Sequence, residues 1–233
     1  MEIKVLASGS GGNCYLIDGE ERLLIEAGIP IRKIKEGLNF QLSTVAGCLV
    51  SHSHMDHAKA AKDVMRAGIT VHMSADTAED LKLGGEHRLR LVEPLKQIQV
   101  GNYTILPFKA VHDAPAMGYL IAGYGEKVLY LTDSSYSPYR FEGLTRILIE
   151  VNFDRQTLKE NLKRGVVDSY LYQRLLKTHL GLETAVEFFR QNDLSKLREV
   201  RVLHISDRNA NEERIKKAIQ AATGVPVFIA GGD

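Results

Sequence analysis

Short apolar runs separated by turn residues make up most of the chain. Runs of roughly four to eight residues rich in Val, Ile, Leu and Tyr predict β-strands. Thirteen such runs are present, at residues 3–6, 14–17, 22–25, 46–51, 70–73, 89–92, 97–100, 103–109, 118–122, 127–132, 147–151, 200–205 and 225–229. The second and third runs meet at Asp18-Gly19, a dipeptide typical of hairpin turns.

Longer segments with helical spacing of apolar residues lie between these strands. They predict helices at residues 33–38, 58–67, 75–83, 157–177, 182–192 and 211–223, with Gly68 closing the second. Along the chain, a β-rich segment is followed by a mixed α and β segment, a second β-rich segment and a final αβα segment. This order predicts the α/β class and a four-layer αββα sandwich of two similar halves, in a single domain over residues 1–233.

Composition and charge narrow the classes of function. Apolar residues make up 44% and charged residues 25%, which is ordinary for a globular protein. No apolar run reaches the ~18 residues that span a bilayer, and the N-terminus lacks a signal-peptide pattern, so we expect a soluble, cytoplasmic protein without a membrane partner. Cys14 and Cys48 lie in apolar runs, which favours buried, reduced thiols. With a net charge of +1, the protein has no overall positive field that attracts nucleic acid, so any such binding must rely on a local patch.

A histidine cluster directly follows the predicted strand at residues 46–51. His52, His54, Asp56 and His57 lie within six residues. Side chains two apart on an extended segment point the same way, so His52 and His54 can converge on one ligand. Imidazole and carboxylate groups suit Zn²⁺, Mn²⁺ or Fe. A chance cluster in a surface turn is the alternative, but three histidines and an aspartate after an apolar strand make a metal site the better interpretation.

The cluster has the form His-x-His-x-Asp-His, which is the signature of the metallo-β-lactamase superfamily. Other segments resemble its remaining motifs in order, at Glu26, His112, Asp133 and His204. The resemblance implies the αββα metallo-β-lactamase fold and two metal sites. It implies ligands His52, His54 and His112 for one metal and Asp56, His57 and His204 for the other, with Asp133 bridging. Glu26 stands where the family has aspartate, a residue that supports the histidine loop. The resemblance leaves two alternatives: the longer side chain shifts the loop, or Glu26 keeps the supporting role through a different rotamer.

Other segments resemble one branch of that superfamily. Residues 7–15, Ala-Ser-Gly-Ser-Gly-Gly-Asn-Cys-Tyr, resemble the YycJ/WalJ-like exonucleases, a branch related to tRNase Z and to the cyclic phosphodiesterase of phosphonate breakdown. Glu150-Val151-Asn152 and Thr178-His179-Leu180 resemble two further motifs of the branch. Phe153 and Gly181 depart from it, because the branch has His and Ser at these positions. The resemblance assigns proton donation to His179, and we expect Asp56 and His179 to carry the catalysis.

Substrate contacts are expected near the same motifs. The Gly-rich loop with Ser10 and Asn13 can present backbone N–H groups to a phosphate, although a tight turn beside the metals is equally compatible. Asn152 directly follows the predicted strand at residues 147–151 and is also expected to contact the substrate. Arg174 and Lys177 belong to a basic stretch with Tyr170 and Tyr172 available for stacking, and a solvated helix face is the alternative interpretation of that stretch.

The sequence therefore predicts a metal-dependent phosphodiesterase. The preferred hypothesis is a 5′-to-3′ DNA exonuclease in which a metal-bridging hydroxide attacks phosphorus. Two divalent ions, Zn²⁺ or Mn²⁺ with Fe as a further candidate, are the implied cofactors. A small-molecule hydrolase of the same fold (a cyclic nucleotide or sugar phosphodiesterase, a lactonase or a thioesterase) and a non-catalytic nucleic-acid-binding protein are the alternatives. The oligomeric state is left open, with a dimer as one option.

Overall fold

The computed structural model describes residues 1–231 and divides the chain into two compact units. The first unit comprises Met1–Lys109 and Ala114–Gly125, and the second comprises Ala110–Asp113 and Glu126–Asp233. A single domain over residues 1–233 stays a prediction.

The first unit contains a six-stranded mixed sheet with strands in chain order. Strands β1 to β3 form an antiparallel meander, and β3 to β6 are parallel. The strands are β1 (Glu2–Ala7), β2 (Cys14–Asp18), β3 (Arg22–Ile25), β4 (Val45–Leu49), β5 (Val71–Met73) and β6 (Leu89–Leu91). The helices are α1 (Ile31–Gly37), α2 (Met55–Ala58), α3 (Ala61–Arg66) and α4 (Ala75–Asp80), and a short 3₁₀ turn covers Leu42–Thr44. Strands β7 (Ile98–Val100), β8 (Tyr103–Ala110) and β9 (Ala116–Gly123) follow.

The second unit is built on four parallel strands that are adjacent in chain order. These are β10 (Glu126–Leu131), β11 (Arg146–Glu150), β12 (Glu199–Leu203) and β13 (Val227–Ile229). The helices are α5 (Arg155–Lys163), α6 (Ser169–Thr178), α7 (Leu182–Arg190) and α8 (Glu212–Thr223). Ile147, Leu148 and Ile149 of β11 are fully buried, as expected for a parallel strand covered on both faces.

All thirteen predicted strands overlap strands of the structure, but two predicted helices were wrong in extent. The predicted helix at 157–177 is two helices, α5 and α6, because Gly165 adopts a left-handed φ of 71° and Asp168 caps a new helix start. The predicted helix at 58–67 is divided between α2 and α3.

Two observations bear on the remaining expectations from composition. Both cysteines are buried free thiols, as predicted. Within the part of the chain that the structure describes, no helix has the length and apolar character needed to cross a membrane.

Asp154 is the buried carboxylate that connects the start of α5 to the start of α8. It accepts hydrogen bonds from the Thr157 and Asn211 backbone N–H groups at 2.9 and 2.8 Å, and it pairs with Arg214. We expect Asp154→Ala to lower the free energy of unfolding by about 2–4 kcal/mol, because it removes a helix cap and leaves a second N–H without its acceptor.

Urea denaturation followed by circular dichroism measures this loss. Asp168→Ala is the matched control, because Asp168 caps α6 through the Leu171 N–H but is exposed, so its loss should cost only about 1 kcal/mol. Equal losses in the two variants would contradict a linking role for Asp154.

Candidate metal and catalytic site

Predicted site residues follow the ends of strands in both units. In the first unit, Glu26 follows β3 and the histidine segment follows β4, a parallel neighbour. In the second unit, Asp133 follows β10 closely, Glu150 is the last residue of β11, and His204 follows β12. Because parallel strands end at the same edge of a sheet, each unit gathers its polar side chains at one carboxyl edge.

Three of these residues adopt the left-handed backbone conformation. The φ angles are 65° at Glu26, 44° at Asp133 and 49° at His204. Non-glycine residues rarely occupy this region, and the cost is of order 1–3 kcal/mol each. The surrounding hydrogen bonds therefore hold these residues in place against a local preference for other conformations.

The histidine segment of the first unit converges into a compact group. The ring of His52 lies 4.6 Å from that of His54 and 4.3 Å from that of His57, measured between centroids. Asp56 Oδ2 lies 3.4 Å from His57 Nε2. His52 and His57 are fully buried, whereas the side chain of Asp56 keeps partial exposure.

Glu26 contacts this segment from beneath, and its side chain is fully buried. Its Oε2 accepts the Ser51 N–H at 3.2 Å, and its Oε1 lies 3.5 Å from His57 Nδ1. The Ala27 N–H also donates to the His57 carbonyl at 2.8 Å. The Glu26 side chain, which is longer than the aspartate of the family, therefore contacts the histidine segment.

Close backbone approach joins the Gly-rich loop to the histidine segment. The Asn13 N–H donates to the Asp56 carbonyl at 2.7 Å, and Asn13 Nδ2 lies 3.1 Å from His57 Nε2. A Cβ atom on Gly28 would fall 1.7 Å from the Asp56 carbonyl oxygen, so only glycine fits there. Asn13 is buried and Ser10 is exposed in the same loop; substrate contact by either residue stays a prediction.

A second polar group lies within the second unit. It comprises Asp133, Glu150, His179 and His204, with one possible ligand atom of each within 4.8 Å of all the others. His179 Nδ1 lies 2.6 Å from Glu150 Oε1 and 3.1 Å from Asp133 Oδ1. His204 Nδ1 lies 3.1 Å from the same Glu150 oxygen and 3.3 Å from the same Asp133 oxygen.

Charge compensation favours the ionised forms of Glu150 and His179. Burial lowers the pKa of His179, but the Glu150 charge and hydrogen bonds to Asp133 and Glu150 outweigh it and raise that pKa to about 10. Burial conversely raises the pKa of Glu150, and the charge of His179 outweighs that effect, so the pKa of Glu150 falls below its ordinary value. Buried Glu150 and partly exposed His179 therefore form an ion pair.

Glu150 belongs to this group but was not among the predicted site residues, although its segment had been recognised. Besides the two imidazoles, it accepts backbone N–H groups of Ser134 and Leu180 at Oε2, both at 3.4 Å. One carboxylate thus connects the segments that follow β10, α6 and β12. The signal in the sequence was an acidic residue directly after the apolar run Ile147-Leu148-Ile149.

His112 and Asn152 lie beside this second group. His112 Nδ1 lies 3.0 Å from the Thr178 carbonyl, and His112 Nε2 lies 3.0 Å from Asp113 Oδ1. Burial lowers the pKa of His112. Asn152 Nδ2 donates to the carbonyl of the strained His204 at 3.0 Å, so Asn152 helps hold that conformation. Its predicted substrate contact stays a prediction.

The donor sets fit divalent cations. Imidazoles and carboxylates are the ligands that Zn²⁺, Mn²⁺ and Fe take in proteins. His52 Nδ1 contacts Ser51 Oγ at 2.8 Å, His57 Nδ1 faces Glu26, and His112 Nδ1 donates to a carbonyl. Protein groups at Nδ1 orient an imidazole so that Nε2 can bind a metal, which is the usual arrangement at metal sites.

Phe153 and Gly181, the two departures from the branch pattern, are in contact. A Cβ atom on Gly181 would lie 2.6 Å from Cε2 of Phe153. Phe153 is buried among Leu158, Val167 and Leu175 and cannot move aside freely. We expect Gly181→Ser to lower the free energy of unfolding by about 1–3 kcal/mol through overpacking.

A double-mutant cycle in urea denaturation tests this coupling. In a Phe153→Leu background, Gly181→Ser should be neutral or stabilising, because serine at that position is a favoured cap for α7. Additive losses would show that the two positions are independent.

Comparisons with known proteins identify the family. The sequence profile described as "Beta-lactamase superfamily domain" matches residues 21–221, and the chain belongs to this family. It is similar to exodeoxyribonuclease WalJ of Streptococcus pneumoniae serotype 2 (strain D39 / NCTC 7466), with 28% identity over 96% of this chain and 90% of the relative. It is also similar to exodeoxyribonuclease YycJ of Bacillus anthracis, with 25% identity over 91% and 85%.

A solved structure shares the fold of this chain. The metallo-beta-lactamase fold protein YhfI from Bacillus subtilis has a TM-score of 0.75 and 18% identity, covering 98% of this chain and 95% of that one. These findings confirm the predicted fold class and the resemblance to the WalJ/YycJ branch. The chain is a metal-dependent hydrolase of ester bonds.

Proposed function

We propose that this protein is a metal-dependent DNA exonuclease that works from the 5′ end. The observation that carries the proposal is the pair of buried Glu150 and partly exposed His179 beside Asp133 and His204. It places an imidazole that can donate a proton among carboxylates that can bind a cation. The similarity to two proteins named exodeoxyribonucleases supports DNA as the substrate.

The proposed cofactors are two divalent cations, Zn²⁺ or Mn²⁺. The proposed ligands are those that the family motifs imply: His52, His54, Asp56, His57, His112, Asp133 and His204. When bound, such ions activate water and neutralise the charge of a phosphodiester. The number of ions and the assignment of ligands to each of them are part of the proposal.

Side chains of the protein are proposed to donate a proton and to position the site residues. His179 is proposed to protonate the leaving oxygen, with Glu150 holding the imidazole through its Nδ1 so that Nε2 can face the substrate. Glu26 and Asn13 are proposed to hold the histidine segment in its convergent conformation. Asn152 supports His204 in the same way from the second unit.

Incubation of purified protein with single- and double-stranded DNA tests the class of substrate. Protein loaded with Mn²⁺ or Zn²⁺ should release nucleotides, and EDTA should stop the reaction. Bis(p-nitrophenyl) phosphate and a simple carboxylic ester serve as small substrates. Fast hydrolysis of a small ester without any cleavage of DNA would overturn the proposal in favour of a small-molecule hydrolase.

A further inference from the structure

An open cleft of about 430 Å³ lies within the second unit. One side consists of the exposed face of α6, which presents Tyr170, Gln173, Arg174 and Lys177. The other end contains His112 and Asp113. The volume lies in the range of sites that bind small ligands or parts of larger ones.

The apolar packing of α6 does not involve the exposed residues of that helix that line the cleft. The opposite face of that helix carries Leu175, with Tyr172 and Leu176 packed beside it against Phe153 and Leu158. Tyr170, in contrast, is 80% exposed. An aromatic ring is thus exposed in the cleft while the helix already has its apolar contacts elsewhere.

The spacing of the cleft residues suits a chain of phosphates with stackable bases. Tyr170, Arg174 and Lys177 are four and three residues apart, so they share one helix face. Along the axis, Tyr170 lies about 6 Å from Arg174, and Arg174 about 4.5 Å from Lys177. An aromatic face beside two neighbouring cations is the arrangement that proteins use for single-stranded nucleic acid.

The cleft also leads to a proposed metal ligand. Thr178 is the last residue of α6, and its carbonyl is hydrogen-bonded to His112 Nδ1. Asp113 is the acidic residue of the lining, and its Oδ2 lies 3.7 Å from Arg174, which reduces its repulsion of a phosphate. A strand lying in the cleft would therefore end near His112.

We propose that this cleft binds the single-stranded segment of DNA next to the phosphate that is cleaved. Tyr170 stacks against an unpaired base, and Arg174 and Lys177 contact successive phosphates. The proposal rests on the proposed nuclease function and specifies the form of its substrate. A base pair in a duplex does not offer its face to Tyr170, so the cleft favours single strands.

Binding is measured with a fluorescein-labelled phosphorothioate (dT)12, which resists hydrolysis, by anisotropy on the metal-loaded protein. Tyr170→Ala should weaken binding about 5- to 150-fold, whereas Tyr170→Phe should keep it within about threefold, because the ring face remains. In Arg174→Gln/Lys177→Gln, the slope of log K against log salt should fall by about 1.4, since each phosphate contact on a single strand contributes about 0.7.

Lys216→Gln/Lys217→Gln on α8 is the matched control, because it removes the same charge from another exposed helix of the second unit. Its salt slope should equal that of the unaltered protein. Thermal unfolding checks that each variant is folded.

The outcomes separate the two proposals. Unchanged binding in both cleft variants, an equal effect of the α8 control, or equal competition by a blunt duplex would overturn the cleft proposal, even if DNA is cleaved. Failure of the protein to cleave any DNA, with the cleft variants still weakening (dT)12 binding, would overturn the nuclease proposal and leave the single-strand cleft standing.

Discussion

Asp56→Ala is expected to lower the kcat for DNA hydrolysis by on the order of 10³-fold or more. Asp56 is the carboxylate of the histidine segment, with Oδ2 3.4 Å from His57 Nε2 and partial exposure. Removing it deprives a cation of a charged ligand, and metal ions contribute several kcal/mol to such reactions. Metal content by mass spectrometry should fall in the same variant.

Measuring the DNA affinity of Asp56→Ala shows whether the substitution affects catalysis or DNA recognition. The variant should keep most of its affinity for (dT)12, because Arg174 and Lys177 lie in the other unit. Ser53→Ala is the control within the same segment. Ser53 bonds to Asp80 rather than to the histidines, so activity should stay within about threefold. Full activity in Asp56→Ala would contradict the proposed ligand set, and a protein that binds DNA but never cleaves it would be a non-catalytic binder.

Glu150→Gln is expected to lower kcat by about 100-fold or more, with a smaller change in KM. An amide cannot hold two imidazoles and two backbone N–H groups as the Glu150 carboxylate does, so His179 and His204 lose their common support. Loss of a residue that orients metal-binding or proton-donating histidines typically costs about 10- to 100-fold, and loss of proton donation itself about 10²- to 10⁴-fold.

Glu199→Gln is the matched control for this substitution. Glu199 is a carboxylate at the start of the neighbouring strand β12, where it pairs with Arg146 and Arg201 away from the histidines. We expect its kcat to remain within about twofold. A Glu150→Gln protein with an unchanged kcat, or one that loses activity only by failing to fold, would contradict the positioning role.

Much of the fold could be predicted because strands of this chain are short, apolar and separated by turn residues. The apolar pattern did not predict the helix boundaries that depend on tertiary contacts. The predicted helix at 157–177 is interrupted at Gly165, and the apolar spacing alone does not show that the chain turns there. The division of residues 58–67 between α2 and α3 is likewise invisible in the pattern.

The candidate site could be predicted where its residues are consecutive. His52, His54 and His57 form a recognisable cluster in the sequence, and the structure draws their rings together. Glu150 was harder to assign, because its importance arises from three segments that meet only in the folded sheet. The left-handed backbone at Glu26 was equally hidden, since glutamate does not indicate a positive φ. Histidine is enriched in that region, but most histidines do not adopt it, so the sequence did not single out His204 either.

The most direct test of the account follows release of label from DNA over time. Metal-loaded protein is incubated with single strands that carry a label on the base of the 5′- or the 3′-terminal nucleotide, each prepared with a 5′-phosphate and with a 5′-hydroxyl. The account predicts early release of labelled mononucleotide from the 5′-labelled strand, while the 3′ label stays in progressively shorter fragments. Early release of the 3′ label, or internal fragments alone, would contradict 5′-to-3′ exonuclease activity.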